Sequence, residues 1–98
     1  MSALRERRVA TTASVPFLPR HVRLQFDSVR QAWAVLSPER VFWPDGVSLD
    51  ILRHCDGSRS ITVIVETLAA EYDAPPGEVE RDVLDFLQEW SDRQLVRL

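Results

Sequence analysis

The hydrophobic period of this chain changes once, at Pro44-Asp45-Gly46, and that change limits what the chain can fold into. On the N-terminal side apolar residues alternate with polar ones. On the C-terminal side they recur every three or four positions. Period two belongs to strands with one buried face, and period 3.6 to amphipathic helices. A chain that runs strands first and helices afterwards is an α+β domain.

The individual elements follow from local chemistry. In "HVRLQF" Val22, Leu24 and Phe26 share one face and Arg23 and Gln25 the other, a half-buried strand. "DSVR" is a turn, and "QAWAVL" is a second strand with Trp33 and Val35 on one face. "SPE" is a turn with Pro38 pre-set at its second position, and "RVFW" is a third, edge strand. Beyond Gly46, the helical face of "VSLDILRHC" collects Val47, Ile51, Leu52 and Cys55, with Ser48 as N-cap and Asp56-Gly57 as the stop. A second helix spaces Ile61, Ile64, Val65, Leu68 and Tyr72 as one stripe, capped by Ser60 or Thr62. After Pro75-Pro76, a third and longest helix over 78–95 aligns Val79, Val83, Phe86, Leu87 and Trp90. The expected fold is α+β and winged helix-turn-helix-like, a three-stranded antiparallel sheet followed by three helices. Residues 1–17 are expected to be a flexible N-terminal segment and 18–98 the domain.

With 98 residues there is room for one small core, burying roughly 65% of the surface that the unfolded chain exposes. No apolar run approaches the ~20 residues of a membrane span. All 12 basic residues are Arg. Residues 1–49 carry seven Arg against four acids (+3), and residues 50–98 carry five against eleven (−6), so the helical half is the acidic half. The single Cys55 precludes an internal disulfide and fits a reducing, cytoplasmic setting. The Arg-, Ser- and Thr-rich N-terminus has no apolar stretch of the secretory kind.

Catalytic chemistry is hard to assemble from this sequence. His54, Cys55 and Asp56 are adjacent, but consecutive helical residues sit ~100° apart and do not converge. Cys55 reads as a small core residue and His54 as a surface one. His21 has no partner at metal-ligand spacing, and Gly46, Gly57 and Gly77 are scattered turn residues with no phosphate loop among them. The expectation is therefore no enzyme, no metal and no cofactor.

Three binding readings remain. DNA binding requires a basic recognition helix, whereas "TVIVETLAAEY" holds no Arg or Lys and carries Glu66 and Glu71. A structural or oligomerisation module would bury Phe42 or Trp43 against a second copy, and a homodimer could coexist with other roles. Peptide binding by strand addition would use the third strand as an open edge. Phe42 and Trp43 are neighbours on that strand, so they point to opposite faces and only one can enter the core. Which one does so is left open, because a register slip of one residue exchanges them. About four backbone hydrogen bonds at ~1 kcal/mol each, plus two buried side chains at ~2–3 kcal/mol each, total about 8–10 kcal/mol. Ordering the peptide costs ~2–5 kcal/mol, so apolar contacts must supplement backbone pairing.

The segments "VRLQFD", "LSPERV", "ILRHCDG", "LAAEYDAP" and "VERDVLDFL", in this order between about Leu18 and Leu98, strongly resemble the PqqD family of coenzyme PQQ (pyrroloquinoline quinone) synthesis proteins. The resemblance implies a small non-catalytic peptide chaperone, a recognition element for ribosomally made, modified peptides. It implies two partners, the precursor peptide PqqA and the radical S-adenosylmethionine enzyme PqqE, which cross-links a Glu and a Tyr of that precursor. Neither nucleic acid nor membrane is expected as a partner, given the acidic second helix and the lack of a long apolar run. Carried onto this sequence, the peptide groove would be Arg40, Val41, Phe42 and Trp43 on the third strand. Val79, Val83, Phe86 and Leu87 of the third helix would stand opposite.

Overall fold

The computed structural model describes residues 7–98. Three antiparallel strands, β1 (Arg23–Asp27), β2 (Ala32–Leu36) and β3 (Val41–Phe42), form a sheet in the order β1-β2-β3. Three helices follow: α1 (Gly46–Arg53), α2 (Ile61–Tyr72) and α3 (Pro76–Asp92). This is the expected α+β order, with the switch in hydrophobic period falling between β3 and α1.

Turn chemistry fixes the sheet. The Asp27 carboxylate accepts from the N–H groups of Val29 and Arg30, and Gln31 takes a left-handed φ of 54°, so β1 turns back into β2. At the next turn the Ser37 N–H donates to the Arg40 carbonyl at 3.0 Å, and the Ser37 hydroxyl donates to the same carbonyl at 2.9 Å. The resulting register pairs Leu24 with Val35 and Val35 with Phe42. Directly opposed residues share a face, so this row lies together against the helices, while Arg23, Leu36 and Val41 take the other face.

Helix ends are satisfied locally, with one departure from expectation. The N-cap of α1 is Asp45, whose carboxylate accepts from the Ser48 N–H at 2.7 Å. Ser48 is therefore the capped residue, not the cap. Starting the helix at Gly46 also turns Val47 outward, 53% exposed, instead of onto the core face. Ser60 caps α2, and Asp73 ends it in the left-handed region at φ 50°. Pro76 opens α3, where a missing N–H costs nothing.

The core joins Val22 and Val35 of the sheet side to Ile51, Leu52 and Cys55, to Ile61, Ile64, Val65 and Leu68, and to Val83, Leu87 and Trp90. Tyr72, assigned to the α2 stripe from spacing, lies at the surface and donates its hydroxyl to Asp50. Its phenol finds a polar partner there that the core does not offer.

Residues 7–17 differ most from the expectation of a flexible lead-in; residues 1–6 of that segment lie outside the described residues. Thr12 and Ser14 carbonyls accept from the N–H groups of Thr62 and Ile61, two donors of the first turn of α2 that no helical carbonyl can reach. Ala10 N–H donates to Gln88, whose amide donates back to the Arg8 carbonyl. Phe17 and Arg97 exchange backbone hydrogen bonds at 2.9 and 2.8 Å, and the Pro16 carbonyl accepts from Gly57. Gly57 adopts φ 80°, and a Cβ there would sit 3.4 Å from that of Phe17. Sequence periodicity carries no record of such a strap, because its bonds come from backbone groups common to every residue.

Two outcomes follow from this packing. Leu87 is wholly buried, so Leu87→Ala should cost about 2–5 kcal/mol in chemical denaturation. Asp45, Asp56 and Asp92 are held below their ordinary value of 3.8, by the Ser48 N–H, the Ser58 hydroxyl and the Arg7 guanidinium respectively. A depressed folded pKa means that the unfolded chain takes up protons first as pH falls. The stabilisation is complete above the ordinary carboxylate value and is lost as pH drops through the lower folded values. Thermal melts should change little from about pH 7 to about pH 5 and decline below about pH 4, with a shallower decline in Asp45→Asn/Asp92→Asn.

Candidate functional site

One edge of the sheet is β3, and its hydrogen-bond phase can be read from the preceding turn. Ser37 and Arg40 are linked by the Ser37 N–H to Arg40 carbonyl bond. Antiparallel pairs alternate between bonded and non-bonded, so the next pair, Leu36 with Val41, is non-bonded. The N–H and carbonyl of Val41 therefore point away from β2, along the open side of the sheet. The side chain of Val41 is 52% exposed.

Phe42 points the other way. It is half-buried, and its ring meets Trp90 of α3 at a centroid distance of 5.6 Å, tilted by 50°. Trp90 in turn stacks on Phe86 at 5.0 Å and 27°. These three rings run from the strand edge up the flank of α3. Two guanidiniums close on the same Phe42 ring, Arg93 at 4.9 Å and Arg40 at 5.3 Å from its centroid. Beside them lies an open depression of about 320 Å³, lined among others by Ser37, Pro38, Arg40, Phe42, Arg93 and Leu95.

The two aromatics of "RVFW" are thus distinguished. Phe42 joins β3 to α3, whereas Trp43 stays 45% exposed beside the Arg30 guanidinium, 4.9 Å from its ring. Of the four α3 residues expected opposite β3, Phe86 and Val79 are partly buried at the edge of the core. Val83 and Leu87 are 1% and 0% exposed and belong to the interior, so they support the groove and have no surface to offer a ligand. Trp90 and Arg93 were not singled out for the groove. Their spacing from Phe86, four and then three positions further, continues one helical face and is the signal that could have found them.

The triplet around Cys55 is equally clear. Cys55 is buried and donates its thiol to the Ile51 carbonyl, and burial pushes its pKa up to about 12. A thiol so poorly ionised is a core residue, not a nucleophile. His54 is half-buried rather than at the surface, with Nδ1 accepting from the Arg59 guanidinium at 2.6 Å. No group of three His, Cys, Asp or Glu side chains among the described residues could hold a metal. On α2, Thr62, Val63, Glu66, Ala70 and Glu71 are exposed, a surface that repels phosphate where a DNA reader needs Arg or Lys.

An open strand edge flanked by an aromatic helix face defines a small winged-helix module equipped for docking an extended chain. Comparison with known proteins identifies the group it comes from. Residues 32–96 match the family described as coenzyme PQQ synthesis protein D (PqqD). A curated "PqqA binding protein" of Rhodopseudomonas palustris (strain HaA2) is 48% identical over 80 residues, covering 82% of this chain and 78% of its own length. Another, of Xanthomonas campestris pv. campestris (strain 8004), is 41% identical over 85 residues, covering 87% and 92%. Among solved structures, the solution structure of the PqqD truncation of Methylobacterium extorquens PqqCD superposes with a TM-score of 0.78 at 34% identity, covering 92% of this chain and 96% of that one. It is described as a stand-alone recognition element for ribosomally synthesised, modified peptides. The crystal structure of PqqD from Xanthomonas campestris matches with a TM-score of 0.57 at 39% identity, covering 92% and 100%. The chain belongs to the PqqD family.

The two tryptophans nearest β3 should behave differently on truncation. Trp90, buried between Phe42 and Phe86, should cost about 3–5 kcal/mol as Trp90→Ala. Trp43→Ala removes a half-exposed ring and a cation–π contact, and should cost below about 1 kcal/mol. Urea denaturation of the two variants measures both.

Proposed function

We propose that this chain is a non-catalytic peptide chaperone of pyrroloquinoline quinone biosynthesis. It binds the precursor peptide PqqA as a fourth strand along β3 and presents it to the radical S-adenosylmethionine enzyme PqqE, in the cytoplasm. The observation that carries the reading is the outward-facing backbone of Val41 beside the Phe42–Trp90–Phe86 row. Membership of a family whose curated relatives are named PqqA binding protein supplies the identity of the peptide. No described helix is long and apolar enough to cross a membrane, in keeping with a partner that meets its peptide in solution.

In this reading the peptide backbone exchanges hydrogen bonds with Val41, and alternate peptide side chains fall on the two faces of the extended sheet. Those on the helix face meet Phe42, Phe86 and Trp90, and those on the other face meet Val41 and the exposed Trp43. Arg40 borders the same edge. Val79 lies further along α3, and Val83 and Leu87 act from beneath by fixing the helix. The module carries no chemistry of its own; holding the peptide extended lowers the ordering cost that the enzyme would otherwise meet.

Calorimetric titration of PqqA into the full chain tests this. Binding in the micromolar range or tighter is expected, with amide shifts centred on residues 40–43 and 86–93. Val41→Pro removes one outward N–H that β2 does not use, and edge strands tolerate proline at such a position. It should leave the thermal midpoint nearly unchanged and weaken PqqA binding about tenfold, the worth of one hydrogen bond. Unaltered affinity in a folded Val41→Pro variant would rule out pairing along β3.

A further inference from the structure

We infer that the groove contains a carboxylate-binding subsite, formed by Arg40 and Arg93 where both approach the Phe42 ring and line one depression, that takes an Asp or Glu side chain of the bound strand and sets its register. The inference rests on the strand-addition reading and specifies the chemistry of one peptide position within it.

Two cations converge on one ring here. The Arg93 guanidinium lies 4.9 Å and that of Arg40 5.3 Å from the Phe42 centroid, both within cation–π range. Stacking occupies the face of a guanidinium and leaves its N–H edges available, the edges that grip a carboxylate in bidentate fashion. Neither arginine is otherwise strongly engaged. Arg93 has an exposed ion pair with Glu89 at 3.6 Å, of the kind worth little in water. Arg40 forms no ion pair among the described residues.

The local charge runs against that of its surroundings. Residues 50–98 carry a net −6, and α3 presents Glu78, Glu80, Asp82, Asp85, Glu89 and Asp92. The charged groups lining the depression are Glu39, Arg40 and Arg93, one acid against two arginines, so the groove turns cationic where α3 ends. An acidic peptide side chain is repelled along most of α3 and attracted at this one end.

Position and need agree. A peptide residue paired with Val41 has its neighbour projecting onto the Phe42 face, and directly opposed side chains across a sheet have Cβ atoms ~5 Å apart. A carboxylate placed there lies over the ring that both guanidiniums approach. Backbone pairing alone cannot distinguish a strand from the same strand displaced by two residues, because the faces are preserved. Apolar contacts with Phe42, Phe86 and Trp90 discriminate little between aliphatic side chains. A single carboxylate matched to the two guanidiniums beside Phe42 does distinguish the two registers.

The test uses PqqA and a set of PqqA peptides in which each Asp or Glu is replaced singly by Asn or Gln. Each is titrated into the full-length chain, Arg40→Gln, Arg93→Gln and the double variant. One replacement should weaken binding to the wild-type chain about tenfold and binding to the double variant less than twofold, with wild-type binding weakening steeply as salt is raised. Arg40 and Arg93 are both exposed, so the single variants are expected to retain the wild-type melting midpoint. They carry the same comparison if the double variant melts early. PqqA binding in which every acidic replacement has equal effects on the wild-type and arginine variants would overturn the subsite and leave strand addition standing. No binding of PqqA to the wild-type chain would overturn both.

Discussion

The register of β3 against β2 governs both the stability of this domain and its open edge. Val35 pairs with Phe42, and that pairing sends the Phe42 ring to Trp90 while the Val41 backbone faces outward. A displacement of one residue would put Val41 under the helix and expose the aromatic ring. The strand is only two residues long, so the ladder cannot hold the register by itself. It is set by the Ser37–Arg40 turn at one end and by the rings on α3 at the other. Edge and helix flank are consequently one unit, and anything that binds the edge also meets α3.

A domain this small has little core to spare, and the distribution of roles on α3 reflects that. Val83, Leu87 and Trp90 are buried, while Phe86 and Arg93 continue the same face to the surface. The helix thus anchors the fold on one side and walls the groove on the adjoining side. The strap at residues 10–17 braces the helices by bonding to Gln88 of α3 and by satisfying first-turn donors of α2 that would otherwise rely on water. A rigid frame beneath a short open edge suits a module that orders an extended chain, since the frame itself loses little freedom on binding.

Much of this was legible from residue order. The alternation around Val22, Leu24 and Val35, the spacing of Ile61, Ile64, Val65 and Leu68, and the proline pair before α3 each specify an element through local periodicity and backbone chemistry. The structure departs from that periodicity at helix ends and at amphipathic residues. Val47 and Tyr72 fit an apolar stripe by spacing, yet one lies in an outward-facing first turn and the other takes a polar partner on α1. At the groove, the sequence supplied Arg40, Val41, Phe42 and Phe86 as neighbours or stripe members, but it could not separate Val83 and Leu87 from the residues that reach the surface.

By itself the sequence determined the kinds and order of the elements and the family, because these depend on residue type and on short-range spacing. Tertiary structure decided which of Phe42 and Trp43 turns inward, that Trp90 and Arg93 join the edge strand, and that the N-terminal strap docks. Each of these depends on contacts between segments tens of residues apart. Their geometry is set by sheet register and by the phase of a helix against its neighbours, neither of which is written in any one stretch of sequence.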